Sequence, residues 1–304
     1  MAYTYSGELW RDRMKNIGGQ AVIEGVMMKS PAGWSVAVRD AKGEINLKTV
    51  RTKKLPNFLK LPIIRGVVAL FHALMIGVKA IEFSGSVAYQ EQEGDKPISG
   101  WGMGLSIGFA IILAIALFKF LPLLLTTLIS NIFREVSNNS LLFNFTDGFL
   151  RVGIFLFYVF IIGLWKEMRR IYQYHGAEHK VIYAYEAGED LTVENAKKCR
   201  PYHPRCGTSF LLIVMAISIM VFLMIPKDWS FVDKLMSRIV LIPVIAGLSY
   251  EVLRFSARMK NNPIIGLIVL PGLLLQRMTV REPDESQIEV ALAAMSEVLK
   301  LEKE

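Results

Sequence analysis

The stretch YHGAEHKVIYAYEAGE, residues 174–189, sets two histidines four residues apart with Glu178 between them, in a chain that has four histidines among 304 residues. Residues at i and i+4 share a helix face, so His175 and His179 are able to address one ion. The string H-x-x-E-H is the inverted form of the zincin motif, whose acidic neighbour serves as general base. In that reading Glu178 takes a proton from water that a metal activates. Two histidines are too few, because a catalytic zinc normally has three protein ligands and one open position. The plain alternative is a pair of polar residues on a helix leaving a bilayer.

Three further places offer the missing ligand. RPYHPRCGTSF, residues 200–210, separates His203 from Cys206 by two residues, with Pro204 and Gly207 shaping the backbone. Cys199 lies four before His203 and is either an extra ligand or a bystander. GLSYEVLRF, residues 247–255, holds Glu251 inside an apolar run, where a carboxylate is costly and hence a site candidate. Arg254, one turn on, is its nearest cationic partner. Gln20 and Glu24 in GGQAVIEGVMMKSP, residues 18–31, are within reach if the glycines allow close backbone approach, or else mark a turn entering a strand. His and Cys together favour zinc among divalent metals. Two His, then His and Cys, also make a complete structural zinc set with no open position.

The chain is 53% hydrophobic and 20% charged, with mean hydropathy +0.38. That is too apolar for an ordinary soluble domain and suits membrane spans joined by aqueous parts. The net charge of +8 speaks first to topology and anionic headgroups; nucleic acid is not an expected partner. Two cysteines make no disulfide framework. MAYTYSGELWRDRMKN, at the start, has no apolar core or cleavage site, so no signal peptide is expected.

Four apolar stretches of spanning length are expected, roughly at 103–129, 148–166, 207–226 and 239–257. Lys119 and Arg151 fall near the outer ends, where they are expected to snorkel. The N-terminal region and 166–205 are rich in Lys and Arg, with basic clusters at 51–54 and 197–200, whereas 131–147 has only Arg134. The loop at 227–238 holds Lys227, Lys234 and Arg238 and weakens the contrast without reversing it. Both termini are therefore expected in the cytosol. The His pair, the H-x-x-C element and Glu251 then converge on the cytosolic face.

The organisation follows. Residues 1–62 form a cytosolic N-terminal β-meander, in which EINLKTV turns Ile45 and Leu47 to one face and pairs with WSVAVRD across Ala41-Lys42-Gly43. Residues 63–98 are an interfacial or membrane-packed amphipathic helix with Arg65, His72 and Lys79 in one polar stripe. Residues 99–262 are the four-span membrane domain with a metal-site loop at 167–206. Residues 263–304 hold a re-entrant or interfacial segment, broken at Pro271-Gly272, and a cytosolic amphipathic helix with Ile288, Leu292, Met295 and Leu299 on one face.

GGQAVIEGVMMKSP, HGAEHK, HPRCGTSF and REPDESQIEVALAAM together resemble the YqhQ-like family of bacterial membrane proteins. The resemblance covers nearly the whole chain. It implies a bacterial inner-membrane setting and a family of unknown function with predicted metal-dependent enzymes. Carried over, its distinctive positions are Gln20, Glu24, His175, Glu178, His179, His203 and Cys206. The expected protein is mainly α and polytopic. Its expected function is that of a metal-dependent enzyme at the cytosolic membrane face, a zinc hydrolase. Its partners are membrane lipids and a lipid-linked or membrane-peptide substrate. The alternative is a non-catalytic scaffold or transport component with structural zinc.

Overall fold

The computed structural model describes residues 17–52, 56, 59, 61–89, 100–203, 206–226, 228–258 and 263–303. The expectations for residues 1–16 and 90–98, Lys53, Lys54, Pro204 and Lys227 lie outside them. The protein is mainly helical, with a small four-stranded antiparallel sheet near its N-terminus.

The sheet is a meander of β1 (Gly18–Val22), β2 (Gly25–Lys29), β3 (Gly33–Arg39) and β4 (Ile45–Arg51), in the order β1-β2-β3-β4. The β3–β4 hairpin pairs Ala37 with Leu47 and turns through Gly43, whose φ of +89° suits a residue without Cβ. Strand alternation gives two apolar faces. Val22, Met27, Trp34, Val36 and Val38 meet α1 (Ile64–Tyr89) through Ile76 and Ala80. Val26, Met28 and Ala37 meet a second pair of helices, α6 (Lys166–Ala187) and α12 (Glu285–Lys303). From α12 come Ile288, Ala291, Ala294, Met295 and Val298; from α6 come Tyr174, Ala177 and Val181. The two ends of the described chain thus close one core. On the shared face of β4, the edge strand, Ile45 packs on the core and Leu47 is 46% exposed.

The remaining helices are α2 (Gly100–Ile115), α3 (Leu121–Ile132), α4 (Arg134–Asn138), α5 (Ser140–Ile162), α7 (Val193–Lys198), α8 (Gly207–Phe222), α9 (Phe231–Val240), α10 (Ile242–Arg258) and α11 (Pro263–Thr279). A π-helical turn, Ala116–Phe120, joins α2 to α3. Among the described residues, three stretches are long and apolar enough to cross a membrane: Ile64–Tyr89, Gly104–Ile132 and Ser140–Ile162. The runs expected at 207–226 and 239–257 fold as helices of 16 and 17 residues. Large apolar side chains such as Phe109, Ile112, Phe149 and Phe157 point outward, as on a lipid-facing surface.

Three local expectations are corrected. Lys119 is not at an outer end; it lies near the middle of Gly104–Ile132 with its ammonium over the Phe222 ring. Arg151 does not snorkel. It lies at the midpoint of α5 and is buried against Asp147, one turn earlier, because the carboxylate supplies the partner that the headgroups would otherwise provide. Pro271 does not end the helix at 263–275; α11 runs through it to Thr279. A proline removes one backbone bond and bends a helix, which a packed helix tolerates.

Candidate metal centre

The α6 helix carries His175, Glu178 and His179. Its sequence brings them inward because the neighbouring residues are small: Gly176 and Ala177 are both buried. At Gly176 the chain that leaves α11 lies against the helix, and a Cβ there would sit 2.1 Å from the Arg281 carbonyl oxygen. Arg281 donates its backbone N–H to the Tyr172 carbonyl at 2.9 Å, which holds this strap in place. Buried Lys180 fixes the same side, reaching the Lys197 carbonyl at 2.9 Å and Glu282 at 2.7 Å.

The imidazoles are oriented by backbone. His175 Nδ1 lies 2.9 Å from the Thr279 carbonyl oxygen, and His179 Nδ1 lies 2.6 Å from the Pro201 carbonyl oxygen. A carbonyl only accepts, so each Nδ1 carries a proton, and in the neutral imidazole it is Nε2 that keeps the lone pair. His175 Nε2 stands 3.1 Å from Cys206 Sγ, and His179 Nε2 is buried without a hydrogen bond. The three ligand atoms lie within 4.8 Å of one another. Ligands ~2.0 and ~2.3 Å from one tetrahedral ion stand ~3.5 Å apart, closer than the 4.8 Å limit here, so the donor set matches zinc in residue type and would have to draw in around an ion. Burial pushes the His179 imidazole below its ordinary value, which favours the neutral form that ligation requires. Cys206 is the N-cap of α8 and takes the Thr208 N–H at 3.4 Å, so the positive end of that helix faces the sulfur.

Glu178 is buried beside this group. Burial raises its carboxyl above the ordinary range, while His175, His203 and the Gly19 N–H pull the other way. A Cβ on Gly19 would come within 2.8 Å of the Glu178 side chain, so the glycine before Gln20 is what admits the carboxylate.

The other sequence candidates are placed elsewhere. His203 is buried one ring away, 5.8 Å from His179 by centroid, with its Nε2 3.5 Å from Glu186 and Tyr183 edge-on at 4.5 Å. Gln276 clamps its backbone through two bonds of 2.8 Å. The H-x-x-C unit is therefore split: Cys206 joins the His pair and His203 does not. Glu251 does not join either; it is paired with Arg65 and takes the Ile63 N–H, so Arg254 is not its main partner. Glu24, with φ +50°, binds Arg170 and accepts from Tyr174 Oη, which ties the sheet to α6 one turn before His175. Gln20 lies against Gly77 of α1, in the wall of a cavity of about 430 Å³. Cys199 packs at the edge of the core. Thr279, Pro201, Gly19, Gln276 and Glu186 were invisible as site residues; only Gly19 carried a signal, its glycine pair.

A family model described as a protein of unknown function, DUF1385, matches residues 61–301. The chain belongs to the DUF1385 family. It is 33% identical over 297 residues to the uncharacterized protein YqhQ of Bacillus subtilis (strain 168), covering 94% of this chain and 92% of the relative. No solved structure matches. The family match takes in His175, Glu178, His179, Cys206 and Thr279 and leaves out the β-meander.

Proposed function

We propose that this protein is a membrane-embedded, zinc-dependent hydrolase working at the cytosolic face of the bacterial inner membrane. One observation carries the reading. Two imidazoles, half-buried His175 and buried His179, have their Nδ1–H groups anchored on backbone carbonyls, His175 turns its Nε2 to the Cys206 sulfur, and the ligand atoms of all three residues lie within 4.8 Å of one another. Carbonyl-anchored imidazoles are the usual outer shell of a metal site. His175, His179 and Cys206 would hold the ion, which leaves a fourth position open. When bound, such an ion acts as a Lewis acid and makes water nucleophilic at neutral pH. Glu178 accepts the proton, and the raised pKa that burial gives it suits that task.

In this reading the stretches 103–129, 148–166, 207–226 and 239–257 cross the membrane and both termini are cytosolic. The α1 helix lies between sheet and bilayer: Ile76 and Ala80 face the sheet, while Phe71, Leu74 and Met75 are exposed towards lipid. A lipid-linked or membrane-peptide substrate fits a site at that depth.

The test is metal content of full-length protein purified without chelator. Near-stoichiometric zinc is expected. His175→Ala, His179→Ala and Cys206→Ser should each lose most of it, and His203→Ala should keep it. A metal-free wild type would overturn the proposal. Loss of zinc from a folded His203→Ala variant would instead favour the four-ligand structural site of a scaffold or transport component.

A further inference from the structure

A second polar cluster lies in the helical part, away from the His–Cys group. Arg151 and Lys119 sit near the middle of two stretches of membrane-spanning length. Lys119 is carried by the π-helical turn, a local irregularity that helices often use at functional sites. With Arg238 of α9 these residues surround one buried ring, Phe222. The Arg151 guanidinium is 4.7 Å from its centroid, and Arg238 and Lys119 are each 5.5 Å from it.

The anionic side is short. Asp147 is fully buried and bonds Arg151, and Ser218 accepts from the same guanidinium at 3.1 Å. Arg238 Nη1 comes to 3.2 Å from Asp147 Oδ1 but off the hydrogen-bonding direction. Nε and Nη2 of Arg238 have no acceptor among the described residues, although its side chain is 0% exposed. Lys234, one turn before Arg238, rests on Phe143 at 4.5 Å and has Asp228 near it. Three cations therefore share one carboxylate in an apolar bundle. A buried guanidinium without acceptors is among the least tolerated groups in such a setting. A phenyl face attracts cations but does not replace an anion.

We propose that this cluster is an oxyanion-binding site within the membrane domain, taking a phosphate-type group against Arg238, with Lys119 and Arg151 supplying further charge. The unfilled Nε and Nη edge of Arg238 is a planar fork, the shape that matches two oxygens of one oxyanion. The site is independent of the metal reading. The ligand is either free phosphate or the phosphate of a lipid headgroup.

Full-length protein in non-ionic detergent, washed free of lipid, is heated in a chloride buffer of constant ionic strength with increasing phosphate. A saturable rise in Tm is expected for wild type. It should be lost in Arg238→Met and shifted at least about tenfold to higher phosphate in Arg238→Lys, which keeps the charge but not the fork. General salting effects rise without saturation and persist in every variant. In parallel, native mass spectrometry of protein taken directly from membranes counts retained phospholipid. Phospholipid held by wild type and lost in Arg238→Met assigns the lipid source; the thermal shift alone assigns the free ion. Lys119→Met, at a less buried cation, gives the same readout if Arg238→Met does not fold. The proposal is overturned if wild type shows neither signal, or if the signals survive in the variants. It is also overturned if Arg238→Met is more stable than wild type at every phosphate concentration, the behaviour of a self-contained ion network.

Discussion

At the residue scale, the informative contrast is between Glu178 and the two histidines beside it. All three share α6, but it is the histidines that group with Cys206, His175 Nε2 standing 3.1 Å from its sulfur. Glu178 is braced by the Gly19 N–H and lies close to His175 and His203. Its proposed role is proton transfer, so Glu178→Gln keeps the size and hydrogen bonding and removes the acceptor. The expected outcome is retained zinc and a drop in function on the order of 10²–10⁴. The readout is complementation of a deletion phenotype, with metal measured in the same strain. Full complementation by a zinc-loaded variant would remove Glu178 from the chemistry. Loss of zinc would make it a ligand.

At the element scale, the site depends on how closely the strap after α11 approaches α6. Gly176 is where they meet, and the Arg281 carbonyl occupies the space that a Cβ would need. Gly176→Ala must push the strap away, and with it the Thr279 carbonyl that orients His175. Overpacking of this kind costs ~1–3 kcal/mol. We expect a lower Tm together with weaker zinc retention, measured on the purified variant. Gly153, which has nothing within 4 Å of its Cβ position, is the control: Gly153→Ala should leave both unchanged. A second close contact of the same kind joins α1 to α10. A Cβ on Gly66 would stand 2.9 Å from the Gly247 Cα, so helix approach there also rests on absent side chains.

At the scale of the whole molecule, the proposed site is assembled by a sheet, a C-terminal helix and three helical segments far apart in sequence. His175 reaches a cysteine 31 residues on and a carbonyl 104 residues on. Such an arrangement holds together only if the α6 segment, Cys206 and Thr279 share one side of the membrane. The proposed topology requires reporter fusions at Ser137, Lys198 and Glu304 to read outside, inside and inside. Ser137 belongs to the short α4 between two stretches of spanning length, and Lys198 ends α7. An external Lys198 would separate the loop carrying Pro201 and Cys206 from the cytosolic side and end the proposal of a cytosolic site.

What was legible in the sequence was local. Alternation in EINLKTV and WSVAVRD, a glycine turn between them, the amphipathic stripe of the C-terminal helix and the long apolar runs each depend on near neighbours, and each folds as an element at that place. The i, i+4 histidine pair was legible for the same reason: helix geometry alone puts His175 and His179 side by side, with ring centroids 4.4 Å apart. The third member of the group was not. His203, Cys206 and Glu251 were equal candidates by residue type. The choice among them was made by contacts that spacing does not encode, namely the Gln276 clamp on His203, the Arg65 pair on Glu251 and the capping position of Cys206. Asp147 stands one helical turn before Arg151, a pair that the expectation of a snorkelling Arg151 passed over, and Arg238 joins it from 91 residues on through packing around Phe222. Short-range periodicity follows from backbone geometry, whereas convergence of distant side chains is decided by which helix faces bury against one another.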